Sequence, residues 1–154
     1  MAGREQVSGE PRVEPGTAVT DEWEPPAVGG VVELSVPALA SFLPVVRAAT
    51  AGLAARLSLS FDEIEDLRIA VDEACAMVLT LPGPSPAATA ILNCRYEVLA
   101  DALAVRVSAL VGARATLPAE RSFAWRVLTA HATGVRHAVD DGQAWIELRK
   151  PRPA

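Results

Sequence analysis

Aromatic side chains make up only 5% of this 154-residue chain, while 51% of its residues are hydrophobic. Any core must therefore be built mainly from Ala, Val and Leu. Cysteine is scarce as well. Cys75 and Cys94 lie on different expected elements without CxxC spacing. That excludes a disulfide framework and a thiolate zinc motif, and it reads as two buried thiols in a reducing cytoplasm. A surplus of positive charge is missing too. The net charge of −5 leaves no electrostatic footprint for nucleic acid, and a basic partner surface fits better. No apolar run is long enough to cross a bilayer and no signal-peptide pattern opens the chain, so a cytoplasmic location is expected. GxGxxG, Walker, HExxH and GxSxG loops are all absent. His131 and His137 fall on different elements with no third metal ligand nearby, and read as surface or helix-end residues.

What is present fits one domain with a loose extension. Residues 1–29 are rich in Pro, Gly and acid and lack apolar periodicity. They are expected to form a disordered tail, with Trp23 as the one large anchor. Residues 30–150 carry regular patterns, and 151–154 read as a short tail. Val31 to Val36 alternates as a strand, with Val32, Leu34 and Val36 on one face. A helix follows to Arg56, starting near Ser41 because Pro44 is tolerated only in a first turn. Its apolar set is Leu39, Phe42, Leu43, Val46, Ala49, Leu53 and Leu57. Thr89 to Glu97 and Leu103 to Ala109 alternate and are close enough to pair as a hairpin. Ser122 is placed to cap a helix from Phe123 to His131 that buries Phe123, Val127 and Ala130, with Gly134 just past its end. Strands over Val135 to Val139 and Ala144 to Arg149 flank the turn Asp140, Asp141, Gly142. The tight connections imply antiparallel pairing. The expected architecture is an α+β two-layer sandwich, a mostly antiparallel sheet covered on one face by about three helices.

The strongest helical pattern is Ser60 to Leu81, SFDEIEDLRIAVDEACAMVLTL. Ser60 and Glu63 form a capping box, and Leu59 and Ile64 a hydrophobic staple. Asp62, Glu63, Glu65 and Asp66 crowd the positive end of the helix dipole. Ile64, Leu67, Val71, Ala74, Cys75 and Val78 make the packing stripe. Asp66, Ala70, Glu73 and Met77 share a neighbouring face, with Glu73 and Met77 one turn apart.

The phrase LRIAVDEACAMVL, Leu67 to Leu79, resembles the N-box helix of the GHKL superfamily, whose members share the Bergerat, histidine-kinase-like ATPase fold. With the later segment SFAWRVLTAHATGV, the chain resembles bacterial anti-sigma regulatory factors of the anti-sigma-B/F type, in particular diverged actinobacterial members. The likeness covers nearly all of residues 31–150. It implies a homodimeric regulator of transcription in stress responses. Such a protein would sequester an alternative sigma factor and be antagonised by a STAS-domain anti-anti-sigma partner. The family alternative is an ATP-dependent serine/threonine kinase that phosphorylates that partner. The N-box pattern is E-x-x-x-N, in which the glutamate serves as base and the asparagine holds Mg²⁺. Glu73 matches the glutamate, but Met77 replaces the asparagine. A thioether is a poor ligand for a cation that demands hard oxygens, so no metal site is implied. The expected DxGxG loop is SALVGARA, which keeps Gly112 without the aspartate. The phosphate-cradling glycines are replaced by RSFAW, where Arg121 and Ser122 at a helix start could still meet an anion and Phe123 and Trp125 crowd the backbone. The nucleotide positions carried over are therefore Glu73, Met77, Gly112 and Ser122, and they imply weak ATP binding at most. The resemblance as a whole implies a binder with a degraded kinase site.

Overall fold

The structure, a computed structural model, describes residues 29–85 and 90–153. The expected tail with Trp23 and the start of the second strand at Thr89 lie outside the described residues. Five strands and three α-helices follow one another as β1 (Val31–Pro37), α1 (Leu43–Arg56), α2 (Phe61–Leu79), β2 (Ile91–Val98), β3 (Ala102–Leu110), α3 (Phe123–His131), β4 (Thr133–Asp140) and β5 (Gln143–Pro151). The sheet has the order β1-β2-β3-β5-β4, and every neighbouring pair is antiparallel. This is the expected two-layer sandwich.

Alternation in the strands dictates which face is covered. Val36, Leu92, Cys94, Tyr96, Val105, Val107, Ile146 and Leu148 are buried beneath the helices. The intervening residues form the other, polar face. Register draws Glu33, Arg95, Arg106, Glu147 and Arg136 into a single row across all five strands. Glu147 anchors that row. Its Oε2 accepts from Arg106 Nε at 3.0 Å and its Oε1 from Arg136 Nε at 3.2 Å, while the Arg106 guanidinium lies 4.2 Å from the Trp145 ring centre. The β4–β5 turn uses Asp141 (φ 48°) and Gly142 (φ 71°), the pair of left-handed residues a two-residue hairpin of this twist requires.

Several local expectations shift. The first helix opens with a 3₁₀ turn, Ala40–Phe42, and becomes α-helical only at Leu43. Leu39 and Phe42 are exposed rather than packed. In α3 the buried residues are Trp125 and Leu128, whereas Phe123 is 78% exposed and Ala130 is also exposed. The helix is turned so that the Trp125 indole N–H reaches the Pro118 carbonyl at 2.6 Å, a bond unavailable to Phe123. Gly134 does not cap this helix. The chain turns extended at Ala132, and Gly134 (φ 60°) sits in β4, where a Cβ would lie 3.3 Å from the Arg149 side chain. The last strand, expected to stop at Arg149, continues to Pro151, and Arg152 N then donates to the Asp101 carbonyl at 2.8 Å.

Candidate functional site

Helix α2 owes its start to its own first turn. Ser60 Oγ accepts from Glu63 N–H at 3.3 Å and Glu63 Oε2 accepts from Ser60 N–H at 2.7 Å, so the capping box is complete. The Ser60 backbone N–H, and after it the Ser60 hydroxyl, hold the Glu63 carboxyl below its ordinary value. Leu59 is buried and Ile64 packs on the same core, as a hydrophobic staple requires.

The face carrying Asp66, Ala70, Glu73 and Met77 is not a free neighbour of the packing stripe. Ala70 is fully buried and Met77 is 3% exposed, both within the main core. Only Asp66 and Glu73 on that face reach half-buried positions. Asp66 is clamped from two other elements. His131 Nδ1, at the end of α3, lies 2.9 Å from its Oδ1, and Lys150 Nζ of β5 donates to its Oδ2 at 3.3 Å. The His131 hydrogen bond, followed by that of Lys150, keeps the Asp66 carboxyl below its ordinary range against the opposing effect of desolvation. The clamp was not legible in the sequence, because its members are 65 and 84 residues apart.

Beyond α2 the loops close on one another. Gly112 N–H donates to the Pro82 carbonyl at 2.8 Å. A Cβ at Gly112 would stand 3.1 Å from the Gly83 carbonyl oxygen, so glycine is what permits this approach. Val111, Ala115 and Ala144 form a small satellite core with Leu81 against it. On the far side of the same loop, Trp125 is buried and bonded to Pro118, and its ring centre lies 4.2 Å from that of the tilted His137 ring. The segment from Gly112 to Ser122 is thus fastened at both ends.

The expected site residues therefore have different fates. Glu73 offers a half-buried carboxylate beside α2's core face. Met77 points its thioether into packed apolar surroundings. The Gly112 N–H is committed to Pro82 rather than to an incoming phosphate. Ser122 takes the extended conformation of an N-cap residue, but its hydroxyl makes no capping bond and has no partner; the expected side-chain cap is absent. Arg121 beside it is exposed. For Mg²⁺ the donor set does not fit, since the two positions supply one carboxylate and one buried soft sulfur. Among the described residues no group of three or more His, Cys, Asp or Glu side chains is placed to hold a metal ion. Cys75 and Cys94 are free and buried, facing each other across the α2–β2 interface. Their mutual hydrogen bond and then burial raise the Cys75 thiol above its ordinary value.

Three helices on one face of a five-stranded antiparallel sheet, with an acidic N-box-like helix at the centre, define an RsbW-type fold. Over 83% of its length the chain superposes on the crystal structure of the RsbU and RsbW domains of Rv1364c from Mycobacterium tuberculosis, with a TM-score of 0.63 and 14% identity, covering 34% of that chain. In sequence, a 48-residue stretch is 48% identical to the serine-protein kinase RsbW of Halalkalibacterium halodurans, and comprises 31% of this chain and 30% of that protein. The proteins of the same name from Bacillus thuringiensis and Bacillus cereus are 38% identical over 48 residues. The matched stretch thus spans about a third of the length of these curated relatives. No family model matches the chain. The chain is RsbW-like in fold over most of its length and in sequence over about a third of it.

Proposed function

We propose that this protein is an anti-sigma factor. It binds and sequesters an alternative sigma factor, and a STAS-type anti-anti-sigma protein antagonises it. The observation that carries the reading is Met77. The residue one turn beyond Glu73 on the N-box-like helix is an apolar side chain 3% exposed in the core. A helix that has exchanged its metal ligand for packing fits a binding module better than a phosphoryl-transfer enzyme, because such transfer depends on a metal to neutralise developing charge. The protein acts in the cytoplasm as a homodimer, as the resemblance implies; among the described residues no helix is long and apolar enough to cross a membrane. The test is a pull-down with the sigma factors and STAS proteins of the same genome. Stoichiometric capture of one sigma factor, reversed by a STAS protein, is expected; capture of neither class ends the proposal.

The second reading is a serine/threonine kinase acting on that antagonist. It rests on Glu73, whose carboxylate keeps the N-box position, and on the relatives named as serine-protein kinases. Against it, Glu73 and the buried Met77 do not make a donor set for Mg²⁺. Incubation with Mg-ATP and the captured STAS protein is expected to give no phosphoserine. Stoichiometric phosphorylation abolished by Glu73→Gln would replace the binder with the kinase. Thermal stabilisation by ATP alone reports whether nucleotide is held at all.

A further inference from the structure

At the β1 edge of the sheet, a groove of about 370 Å³ opens between β1, the second half of α1 and the end of the β2–β3 hairpin. Its floor and sides are apolar: Val32, Leu53, Leu57 and Val98, of which Val32 is 42% exposed despite lying on the helix-covered face. Two guanidinium groups, Arg56 and Arg152, rim it. Arg152 Nη1 donates to the Leu99 carbonyl at 2.9 Å. Neither arginine pairs with a carboxylate among the described residues.

We propose that this groove is the docking site of the chain's own N-terminal segment, Asp21–Val28, which lies across it as an intramolecular strap. Three features select this occupant. The described chain begins in the groove itself. Gly29 lines it and passes so close to Val98 that a Cβ would stand 2.6 Å from Val98 Cγ1, and Gly30 turns the chain there with φ +87°. Trp23 lies six residues before Gly29, within a reach of at most about 20 Å. The chemistry also matches. Asp21, Glu22 and Glu24 surround Trp23, no basic residue occurs from Gly16 to Val28, and Pro25, Pro26, Ala27 and Val28 complete the segment. An apolar floor takes the indole and the proline rings, and Arg56 and Arg152 take the carboxylates. Finally, proline has few backbone conformations to lose, so a segment containing Pro25-Pro26 loses little entropy on docking. A tether of this length supplies an effective concentration of the order of millimolar, so weak contacts suffice. The strap shields the exposed apolar end of edge strand β1 from pairing with another chain. This inference is independent of the sigma-factor reading.

The test is fluorine NMR on the full chain labelled with fluorotryptophan, with Trp23→Phe to assign the Trp23 resonance. The expected result is a Trp23 resonance displaced from its position in urea and lacking the H₂O/D₂O isotope shift of a solvated ring. Arg56→Glu, at an exposed side chain that holds no described partner, is expected to return it to the solvated position while the buried Trp125 resonance stays. Glu22→Lys/Glu24→Lys, which leaves residues 29–154 unchanged, is expected to do the same. Combining Arg56→Glu with Glu22→Lys/Glu24→Lys is expected to restore protection. A fully solvated Trp23 in the unmodified chain, or one indifferent to both substitutions, overturns the proposal. So does protection that rises with protein concentration, which would assign the groove to the tail of a second copy.

Discussion

Position 77 shows how one side chain separates a binding domain from a catalytic one. Met77 fills core space beside Ala74 and Val78, so restoring the metal-ligand amide there has a folding cost. Met77→Asn is expected to lower stability by about 1–3 kcal/mol, because a buried amide without partners loses its hydration. Met77→Leu conserves volume and polarity and is expected to cost less than about 1.5 kcal/mol. Urea unfolding of the two variants checks the contrast; equal stability of Met77→Asn and the parent would show that position 77 reaches solvent. The thiols make a second residue-scale case. Cys75 and Cys94 are almost fully buried, and only an exposed thiolate is a good nucleophile. Neither is expected to react with an aromatic disulfide reagent in the native protein, and both should react at a rate set by unfolding. Rapid modification of the folded chain at neutral pH would contradict the α2–β2 packing.

At the scale of elements, α2 is the member that packs on both other helices and on the central strands β3 and β5. Its capping box ties its first turn, its stripe packs on the sheet, and Asp66 joins it to α3 and β5 through His131 and Lys150. Ser60→Ala removes the acceptor for the Glu63 N–H and is expected to destabilise the fold by roughly 1 kcal/mol, read as a lower midpoint of thermal unfolding. Gly112→Ala tests the loop closure. Its new methyl group would lie 3.1 Å from a backbone oxygen rather than from a flexible side chain, so the Gly112–Pro82 contact must open. Faster amide exchange at Gly112 in that variant is the expected signature, and an unchanged rate would mean the Pro82–Gly83 turn yields freely.

For the whole molecule, the ionic links predict the response to acid. Asp66, Glu63 and Glu147 all have carboxyl groups held below their ordinary values. Burial alone would raise Glu147, but the hydrogen bonds of Arg136 and then Arg106 outweigh it. A carboxyl with a depressed folded pKa binds protons more readily when unfolded. Its stabilisation is therefore complete above the unfolded value and disappears as pH falls through the folded one. Stability is expected to be level through neutral pH and to decline below the ordinary carboxylate range. Glu147→Gln should flatten that decline by removing the acceptor shared by two arginines. An acid limb unchanged by Glu147→Gln would show that the sheet-face row contributes nothing to it.

The local elements were legible in the sequence, because their causes are local. Period-two alternation marked β2, β3 and β5, Ser60 and Glu63 marked the start of α2, and Asp141-Gly142 marked a hairpin. Each rests on groups within a few residues of one another. The nucleotide-helix resemblance was legible for the same reason, as a contiguous phrase. Tertiary structure decided the rest. α3 has only nine residues, too few turns for its periodicity to choose between a stripe through Phe123 and one through Trp125; the Pro118 carbonyl made that choice. The hairpins did not reveal that β5 lies between β3 and β4. Above all, the pattern on α2 placed Met77 on a face but not in the core. Burial depends on what packs against a face from elsewhere in the chain, and that is settled only when sheet, α2 and α3 close on one another.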